Sequence, residues 1–163
     1  MKNRVKILLV VLGLTVSSCA CFGGQKHVKP AMAIGDVSSE QLLSNYIEFG
    51  DEYERFSTSD AELAIVKTWP KNLKIEAFFG SWCHDSEREV PRLIKSLDNK
   101  VNLQLIGLDY LKSEPLGRAL KANVQFTPTF VLYLDNKEIG RIIERPEVSL
   151  VADIDSLIKK EAN

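Results

Sequence analysis

The chain has 163 residues, 45% hydrophobic and 26% charged, with 21 basic and 22 acidic side chains and a net charge of −1. That length suits one globular domain with its own core and is short for two. The balanced charge, with no clustered basic face, gives nucleic acid nothing to bind, and three cysteines are too few for a disulfide scaffold.

Lys2, Arg4 and Lys6 precede an apolar run over 7–16, and Ser17, Ser18, Cys19 and Ala20 follow. This is the three-part layout of a secretory signal peptide, expected over 1–18, and its apolar run falls short of the roughly 20 residues of a bilayer span. Val16-Ser17-Ser18-Cys19 resembles the bacterial lipobox, with Val in place of the commoner Leu. That resemblance implies lipidation of Cys19 and a periplasmic-face membrane anchor. Ordinary cleavage after Ala20 is the other reading, and both export the protein. Loss of the leader removes three basic and no acidic residues. Residues 19–37 read as a flexible tether, with Gly23-Gly24 followed by Gln25, Lys26 and His27, and with Cys21 as an incidental member.

A single domain is expected over 38–163, made of a helical extension over 38–70 and a core over 71–163. Ser38 and Gln41 have capping-box spacing, and Leu42, Leu43, Tyr46, Ile47, Phe49, Tyr53 and Phe56 recur at helical intervals, as one helix or a broken pair. After Ser57-Thr58-Ser59-Asp60, the stretch 61–69 reads as a second short helix. From Pro70 onward, β-rich runs alternate with helical stretches, which argues for a sheet with covering helices. Strands are expected over 73–79, 101–108, 129–134 and 138–143. Helices are expected over 85–97, 113–121 and 148–160, and a tight turn at Asp135-Asn136-Lys137 makes the last two strands an antiparallel hairpin.

Phe78-Phe79-Gly80-Ser81-Trp82-Cys83-His84-Asp85-Ser86 places one cysteine where a strand hands over to a helix. Backbone N–H groups at a helix start lack partners and the dipole favours negative charge, so a thiol there is readily made nucleophilic. Ser86 stands where a second cysteine would complete a Cys-x-x-Cys pair, so any mechanism runs on one thiol. Ser86 is in position to donate a hydrogen bond to the Cys83 sulfur but cannot displace a bound substrate. A protonated His84 would favour the thiolate, whereas Asp85 and Glu87 would oppose it. No metal is expected, since Cys83 and His84 are adjacent and no other ligand cluster accompanies them, and no cofactor is implied.

Strand, Trp-Cys-x-x-Ser at a helix start, helix, strand, helix, then Thr127-Pro128-Thr129 leading into a hairpin and a last helix: this order resembles the thioredoxin-like superfamily over about residues 73–160. Trp82 directly precedes the cysteine, Pro91 follows it by eight positions, and Phe126-Thr127-Pro128-Thr129-Phe130 is similar to the family's cis-proline loop. The stretch 80–91 is also similar to exported bacterial thioredoxin-like proteins. The resemblance implies an α/β thioredoxin-like fold, a central mixed sheet flanked by helices. It further implies that Thr127-Pro128 faces Cys83, where the backbone of Thr127 pairs with an extended substrate segment. Two departures stand out. Ala77 occupies the place of the family's buried acid, with Glu76 on the other face of the strand, and the usual lysine of the next strand is absent.

Two functions from different classes fit these residues. One is an exported monothiol oxidoreductase, of isomerase or deglutathionylation type, acting through Cys83 on disulfides or glutathione adducts of exported proteins; the resolving thiol is not named by the sequence. The other is a non-catalytic binding module that holds an exported partner in the groove around Trp82 and Thr127. The threonine and proline pattern of a single-cysteine peroxidase is not seen.

Overall fold

The computed structural model describes residues 30–162. The leader, Cys19, Cys21 and the segment up to residue 29 lie outside the described residues. In chain order the elements are β1 (Gly35–Val37), α1 (Ser39–Asn45), α2 (Ile47–Arg55), α3 (Asp60–Val66), β2 (Leu73–Phe79), α4 (His84–Leu97), β3 (Asn102–Gly107), α5 (Arg118–Lys121), β4 (Thr129–Leu134), β5 (Lys137–Ile143) and α6 (Leu150–Glu161).

The strands form one sheet in the order β1-β3-β2-β4-β5. β2 and β3 run parallel, joined through α4, and the other pairs are antiparallel. This is the expected thioredoxin-like fold, a mixed sheet with helices on both faces. Alternation along β2 explains the two faces, since successive side chains point to opposite sides. Leu73, Ile75, Ala77 and Phe79 enter a large core with residues of α1, α2, α3, α4 and α6. Phe78 enters a smaller core with Ile106, Leu108, Ala119, Val124 and Val131.

Register brings the two loops of interest together. Phe79, the last residue of β2, pairs with Gly107, and Phe78 pairs with Thr129, the first residue of β4. The segment after β2 and the segment before β4 therefore leave the sheet side by side.

The extension is fixed at its start by the expected capping box: Ser38 Oγ accepts from Gln41 N–H at 3.1 Å, and Gln41 Oε1 accepts from Ser38 N–H at 3.2 Å. It breaks at Tyr46, whose backbone is extended (φ −116°, ψ 101°), into the pair α1 and α2. Phe49 is fully buried, with its ring edge-on to that of Phe79 at 5.8 Å. Arg92 of α4 donates to Glu52 at 2.6 Å, and Trp69 donates to Asp155 of α6 at 3.1 Å. The extension is thus a layer over α4 and α6 that reaches the end of β2. Burial raises the Glu52 carboxyl, but hydrogen bonds from Arg92 and Arg55 outweigh it and hold the group below its ordinary value.

Two expectations need correction. The tether drawn to residue 37 ends earlier, because Gly35–Val37 is an edge strand on β3. The helix expected over 113–121 shrinks to Arg118–Lys121. Before it, the buried Glu114 carboxylate accepts from the backbone N–H groups of Leu116 and Arg118, and Gly117 is left-handed at φ 65°. Side-chain capture of backbone donors displaces the helix there.

Candidate functional site

Cys83 is the N-cap of α4, with extended backbone (φ −101°, ψ 121°), and its side chain is half-buried. Its Sγ donates to the carbonyl oxygen of Thr127 at 3.1 Å. Thr127–Pro128 is a cis peptide bond, and both residues are buried. The loop is held from behind by Thr129 Oγ1, which donates to Phe126 O at 2.7 Å, and by Glu144 N–H, which donates to Pro128 O at 2.7 Å. Sequence elements 44 residues apart thus meet at one sulfur.

The turn carrying Cys83 is equally defined. Cys83 N–H donates to Gly80 O at 3.0 Å, and Glu87 N–H to Cys83 O at 2.9 Å, which starts the helix. Gly80 is required by packing: a Cβ there would lie 2.6 Å from Cε2 of Trp82. The Trp82 indole N–H donates to Leu108 O at 3.1 Å, and its ring lies against Tyr110 at 4.8 Å between centroids. Pattern reading missed Tyr110. It lies in the loop after β3 with no periodicity to mark it, although an aromatic three residues past a strand end, facing a Trp-Cys loop, is a signal once the topology is known. Tyr110 and Phe126 are 65% and 52% exposed, so one aromatic against Trp82 and one preceding Thr127 stand open to solvent.

The other expected site residues fall differently. Ser86 is fully buried, and its Oγ accepts from Gly80 N–H at 3.3 Å. The expected bond to Cys83 is replaced by a brace inside the turn, because position three of the helix points its side chain back toward the strand. His84 projects outward, with its side chain 89% exposed and Nδ1 3.4 Å from Glu87. It pairs with that carboxylate rather than with the sulfur. Asp85 pairs with Arg88 at 2.7 Å, and Arg88 also donates to the buried Glu89 at 2.6 Å. Ala77 is buried in the large core, while Glu76 faces the other side, accepting from Lys74 at 3.0 Å and from Tyr133 at 3.1 Å. Among the described residues no group of three or more His, Cys, Asp and Glu could hold a metal ion. Among them, too, no helix is long and apolar enough to cross a membrane.

No protein-family model matches the chain. No curated protein matches it either. Solved structures match its fold. An HIV epitope-scaffold aligns at TM-score 0.53 and 16% identity, over 76% of this chain and 87% of its own. A protein of unknown function from Pseudomonas aeruginosa aligns at 0.48 and 18%, over 77% and 76%. Thioredoxin from Fasciola hepatica aligns at 0.41 and 20%, over 60% and 88%. At these identities the likeness is one of fold alone.

Proposed function

We propose that this chain is an exported monothiol thiol–disulfide oxidoreductase that forms mixed disulfides through Cys83, with protein disulfides or glutathione adducts of exported proteins as substrates. The observation that carries the reading is the Cys83 Sγ set 3.1 Å from the Thr127 carbonyl at a helix start, beside a cis-proline loop. A helix N-terminus favours the thiolate, and the thiolate is the attacking species. Cys83 displaces one sulfur of the substrate disulfide, which leaves as a thiol, and a second thiol then releases the mixed disulfide. Thr127 offers its backbone to an extended substrate segment, strand to strand, while Trp82, Tyr110 and Phe126 supply apolar walls. Export with a lipid on Cys19 belongs to the same proposal and rests on the leader's layout.

The test is turnover of a glutathionylated peptide by the protein and by Cys83→Ser. Release of glutathione that disappears in the variant supports the oxidoreductase; no release and no adduct on Cys83 removes it. The alternative, a binding module without turnover, is favoured by one observation, the burial of Ser86 in the place of a second thiol. Partner capture that persists in Cys83→Ser and is lost in Trp82→Ala would select it.

A further inference from the structure

Seven of the ten large apolar side chains that stand exposed among the described residues belong to two stretches, 32–34 and 110–126, so the exposure is concentrated and not scattered. Tyr110 and Phe126 flank the Cys83 turn, but Met32, Ile34, Leu111, Leu116 and Leu120 have no place in its groove. The two stretches meet. Asp36, on the same side of the edge strand as Ile34, accepts from Arg118 at 2.6 Å, and a Cβ on Gly35 would lie 3.7 Å from Cδ of Pro115. The exposure is built into the loop: Asp109 accepts from the backbone N–H and the hydroxyl of Ser113, both at 2.8 Å, and closes a turn that holds Leu111 88% exposed. The cavities along α4 and α6 are lined by other residues, which leaves these side chains outside those grooves.

Charge on this surface is sorted. Asp109 is taken up by Ser113, and Glu114 is buried under the backbone N–H groups of Leu116 and Arg118. Asp36 is neutralised by Arg118. Lys112 and Lys121 have no acidic partner among the described residues, so ammonium groups stand beside exposed leucines with nothing to balance them.

We propose that this face rests on an anionic lipid bilayer, with the leucines entering the headgroup boundary and Lys112 and Lys121 pairing with lipid phosphates. Apolar side chains flanked by lysines have the composition of an interfacial membrane contact, and each lysine adds about fivefold to partition onto an anionic surface. The described chain begins at Pro30, two positions before Met32, so the residues outside the structure join it at this same face. The lipobox reading puts a lipid on Cys19, eleven residues before Pro30, a contour of at most about 40 Å. For its bilayer the proposal rests on that exported, lipid-anchored reading, and it is independent of the chemistry of Cys83. Tyr110 lies against Trp82, so the Cys83 turn borders the contact and the thiol works close to the membrane surface.

The experiment uses the full chain and two double variants, Leu111→Ser with Leu120→Ser and Lys112→Glu with Lys121→Glu. All are produced in bacteria fed an alkyne fatty acid, which labels a lipidated Cys19, and are reconstituted in vesicles of phosphatidylcholine with or without phosphatidylglycerol. Amide hydrogen exchange is then read by mass spectrometry. Over residues 108–126 exchange should be severalfold slower on the anionic vesicles than on the neutral ones, and both double variants should lose the difference. Exchange over 73–97 equal to that of the parent shows the variants folded. Slowing that survives in both variants overturns the proposal. So does slowing on neutral vesicles that grows with protein density, which gives the face to a second copy, or slowing brought there by a glutathionylated peptide, which gives it to substrate. A labelled, vesicle-bound chain with no slowing overturns the docking and leaves the anchor standing; an unlabelled chain outside the vesicle fraction overturns both.

Discussion

On one face of the sheet, residues from α1, α2, α3, α4 and α6 close over Leu73, Ile75, Ala77 and Phe79, and apolar shape does the filling. On the other face the four-residue α5 contributes Ala119, and polar groups finish the cover: Lys74 sits 4.6 Å over the Tyr133 ring, Tyr133 donates to Glu76, and Arg141 donates to Ala122 O. The first face is covered by helices, the second by one short helix and loops. The consequence is a division of labour. The packed face anchors the end of β2, through Phe49 on Phe79, and the thinner face carries the loop that puts Tyr110 against Trp82.

The largest break of this contrast should come from Phe49→Ala. A fully buried phenylalanine lost from a closed core costs about 3–5 kcal/mol, read as a lower denaturation midpoint in urea, whereas Leu120→Ala on the thin face should stay within about 0.5 kcal/mol. Equal losses from the two would erase the distinction. Next comes Glu114→Gln, which weakens the acceptor holding Leu116 and Arg118 N–H. It should cost about 1–3 kcal/mol and alter Trp82 fluorescence by loosening the loop behind Tyr110.

Acid should act on the packed face through Glu52 and Glu62, and on the loop before α5 through Glu114, whose carboxyl is also held low. The carboxyls of Glu52 and Glu62 lie below their ordinary value of 4.5 in the fold, where hydrogen bonds from Arg92 and Arg55, and from Ser149 and Ser59, outweigh burial. Depressed folded values mean stability that is present above about pH 4.5 and lost as pH falls further. Arg92→Met should flatten this acid limb, at a cost of up to about 1 kcal/mol at neutral pH, in thermal melts across pH 3–7. A limb unchanged by Arg92→Met would place the acid response elsewhere. The smallest effect belongs to the thin face. Burial, with help from the Glu76 charge, pushes the Tyr133 hydroxyl up to about 12. A raised folded value means stability lost as pH climbs from about 10 toward 12, and Tyr133→Phe should remove that alkaline loss with little change at pH 7.

Helix α4 was legible because Val90, Leu93 and Leu97 repeat at helical spacing and are buried as that spacing required. The β4–β5 hairpin was legible because Asp135 and Asn136 tolerate the left-handed backbone they adopt, at φ 51° and 64°. Strand β1 was not, since three residues carry no alternation and their pairing depends on β3 some 70 positions away. At the site, the meeting of Cys83 with Thr127-Pro128 followed from the family resemblance. The partners of Ser86 and His84 did not, because spacing sets which side of a helix a residue occupies and not which neighbour takes its hydrogen bond.

The shortness of β1 bears on how the protein behaves at high concentration. An edge strand is a template for another copy of the same chain, and β1 offers just Gly35–Val37, about 10 Å of ladder, too brief to seed a stacked sheet. It still covers Leu105, Ile106 and Gly107, the most buried part of β3, and leaves outside its reach the polar, exposed Asn102 and Gln104. A few residues at the start of the described chain therefore pair the backbone of β3 along its buried stretch, while β5 forms the opposite edge of the sheet.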